Sequence, residues 1–202
     1  MSAKETEADS ASPLLSLEDP RNGRAPARAF EVAVESRTTW KLEPFVNTGL
    51  SALDMGAVSG VGILSDGLLV AFHRAGVLPD WKEPRKTETI KTDPLVLIHP
   101  ETGETIRSFG AQIGFKVPHG VFVDATDNIW VTDVGLHQVF KFDQQGFLLL
   151  TLGAEGGPLP GKERQEDSDN SDPTRFNKPA DVSVDPDSGT IFVADGYGNS
   201  RV

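Results

Sequence analysis

Cysteine is absent from all 202 residues. Neither a disulfide framework nor a thiolate metal site can therefore form. Basic residues are scarce: 19 Lys and Arg stand against 30 Asp and Glu, for a net charge of −11. A nucleic-acid binder needs a basic face for the phosphates, so that class is excluded. Attraction to an anionic membrane surface is opposed for the same reason. No apolar run reaches the roughly 18 residues of a membrane span, so no membrane insertion is expected. The N-terminal "MSAKETEADSASPLLSLEDP" lacks the basic-then-apolar layout of a signal peptide. Helical periodicity is missing too: no segment with a 3.6-residue period is long enough for a helix.

What is present falls into two textures. Residues 1–44 are rich in Ser, Ala, Glu and Asp and interrupted by Pro13, Pro20 and Pro26. Such a segment buries little, and disorder is expected there. Residues 45–202 hold short β-prone bursts bounded by Gly, Asp, Asn or Pro: "GVGIL", "LLVAF", "PLVLIH", "TIRSFG", "GVFVD", "NIWVTD", "QVFKFD", "FLLLTLG", "DVSVD" and "TIFVAD".

The bursts recur as groups. Val61, Val121 and Val182 align at spacings of 60 and 61 residues. The copies read "GVGILSDGLLVAFHR", "GVFVDATDNIWVTDV" and "DVSVDPDSGTIFVADG", the third with one inserted residue. Each is a strand, a polar turn, a second strand and a polar residue: His73, Asp133 and Asp195. Repeated units of four short strands predict an all-β fold, a β-propeller of NHL-like repeats. A Greek-key sandwich would not require its units to resemble one another. Residues 60–110 make one blade, 120–152 a second, and 181–202 half of a third. Propellers close with about 4–8 blades. Two and a half blades leave open strand edges, so the chain is expected to be part of a longer protein or to be completed by another chain.

The register also points to chemistry. Arg74 follows the second strand of its unit and Tyr197, the only tyrosine, lies two residues past Asp195. His119 lies just before the first strand of its unit, in "PHG". In a propeller these positions ring one mouth of the central channel. An Arg, a Tyr and a His converging there suit proton abstraction beside a metal or an anion. His99 and His137 read as structural or surface residues. "ATDN" and "DPDSGT" read as hairpin turns, and the acidic stretch from Glu155 to Phe176 as a solvated loop without EF-hand spacing.

"VPHGVFVDATDNIWVTDVGLHQVFKFD", "KPADVSVDPDSGTIFVADGYGNSRV" and "VAFHRAGVLPDW" together resemble peptidyl-α-hydroxyglycine α-amidating lyase, the second catalytic domain of the peptidylglycine α-amidating monooxygenase family. The resemblance implies a six-bladed propeller that splits a peptidyl-α-hydroxyglycine into an amidated peptide and glyoxylate. It implies a catalytic Zn²⁺ on three histidines, of which His119 matches the first and the others lie beyond this sequence. It implies a structural Ca²⁺ on the backbone carbonyls of Val61 and Val121. Tyr197 in "DGY" matches the family's base and Arg74 in "FHR" its catalytic arginine. A secreted or secretory-vesicle location is implied as well. Family cysteines in "FCQPTDV" and "DGYCNSR" are replaced together, by Asn177 and Gly198. The alternatives are a non-catalytic NHL-type propeller that serves as a binding scaffold, and a calcium-dependent propeller hydrolase.

Overall fold

The computed structural model describes residues 31–33, 39–41, 55–162, 164, 168 and 170–202. Contacts divide the chain at Val46, between units 1–46 and 47–202. In the first unit β1 (Glu31–Ala33) pairs antiparallel with β2 (Thr39–Lys41). The rest of the segment expected to be disordered, 1–44, lies outside the described residues.

In the second unit all ten bursts are strands. β3 (Val58–Ile63), β4 (Leu69–His73), β5 (Leu95–Ile98) and β6 (Thr105–Phe109) form one antiparallel sheet in that order. β7 (Pro118–Val123), β8 (Ile129–Asp133), β9 (Gln138–Phe142) and β10 (Leu148–Leu152) form a second of the same topology. β11 (Asp181–Val184) and β12 (Ile191–Ala194) make a two-stranded sheet. The only helical segments among the described residues are two short 3₁₀ turns, Pro84–Lys86 and Ala111–Ile113. The chain is thus all-β, with two and a half blades of a propeller.

The repeat register is physical. Val61 pairs with Ala71, Val121 with Val131 and Val182 with Val193. The residue inserted in the third copy is absorbed by the β11–β12 turn. There Asp185 Oδ1 accepts the N–H groups of Asp187 and Ser188, as expected of "DPDSGT". "ATDN" likewise closes the β7–β8 hairpin. Asp124 accepts from Thr126, Asn128 and, at 2.9 Å, from Trp130 Nε1.

Period-2 alternation explains how the sheets stack. On β4, Val70 and Phe72 face the second blade, while Ala71 faces away. On β8, Ile129 and Val131 face back toward the first blade, and Trp130 faces the third. Middle strands are buried on both faces, which is why "NIWVT" is an almost unbroken apolar run. Phe115 wedges between blades one and two, its ring centroid 5.1 Å from Phe72 and 5.2 Å from Phe140, both edge-on. Between blades two and three the core is Trp130, Val139, Val182 and Val193.

The innermost strands β3, β7 and β11 lie side by side, with β7 in the middle. Two glycines let them approach. A Cβ on Gly60 would sit 2.9 Å from Val121 Cγ2, and one on Gly62 2.8 Å from Val123 Cγ2. This is where the chemistry-bearing loops meet.

Candidate functional site

Each unit places a buried polar residue at the end of its second strand, and each one pins a loop. His73, 4 % exposed, accepts the Ala75 N–H through Nδ1 at 3.0 Å. Asp133 is fully buried and accepts N–H groups from Lys116, Val117, Gly135 and Leu136. Burial raises its carboxyl above the usual range, and those four donors oppose the rise. Asp195 accepts from Asn177 N–H, Asn199 Nδ2 and Arg201 Nε. Read as register marks in the sequence, these three fix the segments that carry Arg74, His119 and Tyr197.

His119 sits where β7 slips register, between Pro118 and Val121. Its Nδ1 lies 2.7 Å from the Ala180 carbonyl oxygen. A carbonyl only accepts, so Nδ1 carries the hydrogen and Nε2 presents its lone pair. The Tyr197 hydroxyl donates into that lone pair at 3.1 Å. The two rings meet edge-on with centroids 5.3 Å apart. Glycine after His119 is a steric requirement: a Cβ on Gly120 would fall 2.7 Å from the Ala180 oxygen and 2.6 Å from Asp181 Oδ1.

Arg74 joins this pair from the first blade. Its Nε donates to the Pro118 carbonyl at 3.3 Å, and its guanidinium lies 5.0 Å from the Trp81 ring centroid. Partial burial lowers its proton affinity, while Asp133 and Tyr197 act in the opposite direction. The structure therefore brings Arg74, His119 and Tyr197 to one place. Tyr197 is 54 % exposed, so a substrate can reach its hydroxyl.

Among the described residues no three His, Asp or Glu side chains converge. Val61 and Val121 lie on the adjacent inner strands β3 and β7 and occupy equivalent register positions. His99 is half-buried, and its Nδ1 accepts the Glu101 N–H at 3.3 Å. His137 is buried, and its Nδ1 accepts the Lys178 N–H at 3.0 Å.

Asn177 and Gly198 are neighbours, joined by Gly198 N–H to the Asn177 carbonyl at 2.9 Å. The Asn177 side chain fills the space beside Gly198: a Cβ there would lie 2.2 Å from Asn177 Cγ. Gly198→Ala is expected to cost about 1–3 kcal/mol by overpacking. Asn177→Ala should suppress most of that loss in the double variant. Urea unfolding of the four forms measures the coupling, and additive losses would show that the two residues do not share this space.

Sequence reasoning singled out neither Trp81 nor Thr132. Trp81 is three-dimensional information, since its loop folds back over Arg74. Thr132 left a signal, because it stands where the other two repeats have Phe72 and Ala194.

Comparison with known proteins first defines a class. The NHL repeat family matches residues 115–142 and 176–202, the second blade and the start of the third. Those parts of the second and third blades are NHL-like repeats. More particular similarity comes from curated relatives. Peptidylglycine alpha-amidating monooxygenase of Rattus norvegicus is 36 % identical over 197 residues, covering 88 % of this chain and 19 % of the relative. A peptidyl-alpha-hydroxyglycine alpha-amidating lyase of Caenorhabditis elegans is 38 % identical over 156 residues, 74 % of this chain and 41 % of the relative. Peptidyl-alpha-hydroxyglycine alpha-amidating lyase 1 of Drosophila melanogaster is 34 % identical over 159 residues, 73 % of this chain and 27 % of the relative. The resemblance read from "PHG", "DGY" and "FHR" thus extends over most of the chain. The chain spans from about a fifth to two fifths of these relatives' length. Among solved structures, virginiamycin B lyase of Staphylococcus aureus aligns with a TM-score of 0.44 at 11 % identity, over 72 % of this chain and 36 % of that one. That likeness is too distant to bear on the chemistry.

Proposed function

We propose that this chain carries the Arg–His–Tyr part of a peptidyl-α-hydroxyglycine α-amidating lyase, which converts a peptidyl-α-hydroxyglycine to an amidated peptide and glyoxylate. One observation carries the reading: the Tyr197 hydroxyl stands 3.1 Å from His119 Nε2. Arg74 is held beside them on the Pro118 carbonyl. The names of the curated relatives support the substrate class. A binding scaffold has no use for a tyrosine hydroxyl and an arginine gathered at a histidine in this way.

Tyr197, once its own proton has passed to solvent, accepts the proton of the substrate's α-hydroxyl. The O–H electrons form the carbonyl of glyoxylate and the C–N bond breaks. The nitrogen keeps the C–N electron pair and takes the proton from Tyr197 to become the amide. Arg74 steadies the negative charge that develops on oxygen. His119 Nε2 is the nitrogen that would hold Zn²⁺, with further ligands from outside the described residues. Bound zinc would polarise the substrate hydroxyl as a Lewis acid. The Val61 and Val121 carbonyls would hold a structural Ca²⁺. A secreted or secretory-vesicle location follows from the same reading, and a chain without cysteine folds there unaffected by redox conditions.

The test is chelation and refilling of a form in which further blades close the ring. Glyoxylate release should vanish on zinc removal and return with Zn²⁺ alone. Release that survives chelation would remove zinc from the reading.

A further inference from the structure

We propose that Thr132 is a positioning residue that fixes which nitrogen of His119 faces the site, acting through the Ala180 carbonyl. This rests on the reading of His119 as a site residue. Its test, however, uses no turnover.

Thr132 is completely buried at the end of β8. The repeat does not require a hydroxyl there, since the equivalent residues are Phe72 and Ala194. Burying a hydroxyl is unfavourable unless it is fully hydrogen-bonded. Here it is bonded twice. Gly120 N–H donates to Thr132 Oγ1 at 2.8 Å, and that hydroxyl donates to the Ala180 oxygen at 3.1 Å. The same oxygen accepts His119 Nδ1–H at 2.7 Å.

The topology shows why a bridge is needed. β7 and β11 lie side by side but belong to different sheets, so no ladder ties them together. The register slip between Pro118 and Val121 takes the Gly120 N–H out of the β7–β8 ladder. Thr132 meets both needs with one oxygen. It satisfies the N–H next to His119 and holds the carbonyl that defines the His119 tautomer. Ala180 is anchored from behind by its own N–H on Ala194 O at 2.8 Å. Its carbonyl is thus set between a fixed strand and the Thr132 hydroxyl.

Without the hydroxyl, the Gly120 N–H loses its acceptor and the bulge is free to shift. His119 Nδ1–H then loses its fixed acceptor, and the ring relaxes toward the Nε2–H form that imidazole prefers in water. That form turns a hydrogen, not a lone pair, toward Tyr197.

Long-range ¹H–¹⁵N correlation spectra of the imidazole rings read this directly, with the His119 signals assigned by their loss in His119→Gln. The wild-type chain should show His119 in the Nδ1–H form alone. Thr132→Val, which keeps the shape and removes the hydroxyl, should give a mixture of the two tautomers. Thr132→Ser, which restores the hydroxyl, should return the single form. A His119 signature in Thr132→Val identical to wild type would overturn the proposal. If the valine variant does not fold, Thr132→Ala takes its place. Failure of both to fold, with the serine variant folded, would assign the hydroxyl to fold stability and equally overturn it. Because only the ring is observed, failure here leaves the lyase reading intact, and absence of glyoxylate release would leave this result intact.

Discussion

Tyr197→Phe, in a form whose ring is closed by further blades, is expected to lower glyoxylate release by about 10²–10⁴-fold, the range a positioned proton acceptor contributes. Phenylalanine keeps the ring and its edge-on contact with His119, whose centroid is 5.3 Å away. It removes only the oxygen proposed to take the substrate proton. The loss should therefore fall on kcat, with KM little changed. Among the described residues the His119 ring nitrogen then loses its one hydroxyl donor, so retention of the proposed zinc should not weaken. Unchanged turnover would show that another group is the base. A fall in kcat that tracks loss of metal would mean that Tyr197 supports the metal and not the proton transfer.

The second large effect concerns stability and lies away from the chemistry. His137 is 1 % exposed and, among the described residues, its Nε2 has no hydrogen-bond partner. Burial, with Arg85 and Lys178 nearby, pushes its imidazole down to about 3. Unfolded imidazole titrates near 6.5. Below that pH the unfolded chain binds a proton that the folded chain refuses. The stability held by neutral His137 is complete above pH 6.5 and declines as pH falls toward 3, at up to about 1.4 kcal/mol per pH unit. His137→Asn removes the titration and suits the backbone, which has φ +60° at this position. Urea unfolding from pH 7 to pH 4.5 should show a steep fall for wild type and a shallower one for the variant. Parallel curves would mean that His137 titrates normally and that its burial is not maintained in solution.

The blades were legible because each strand is a short apolar burst closed by a turn residue, and because Val61, Val121 and Val182 repeat at almost constant spacing. Even the inserted residue of the third copy was visible, and it falls in a turn where it costs no ladder pairing. The meeting of Arg74, His119 and Tyr197 followed from the same register. Other features require three dimensions. His73, Asp133 and Asp195 look like punctuation in the sequence, and only burial reveals them as anchors for loops. Trp81 reaches Arg74 because a long loop folds back, and loop paths are not periodic. Thr132 differs from Phe72 and Ala194 in plain sight, yet its meaning depends on the Ala180 carbonyl, 48 residues away. The hairpin of β1 and β2 lies in a stretch whose composition suggests disorder, where Val32 pairs with Trp40.

The central claim is that this surface breaks the C–N bond of an α-hydroxyglycine by taking its hydroxyl proton. Product analysis of the ring-closed form, given a peptidyl-α-hydroxyglycine, tests it most directly. Amidated peptide and glyoxylate should appear in equal amounts, well above the spontaneous rate in wild type and close to it in Tyr197→Phe. Intact substrate in the wild-type reaction, or products formed equally fast by both proteins, would contradict the account.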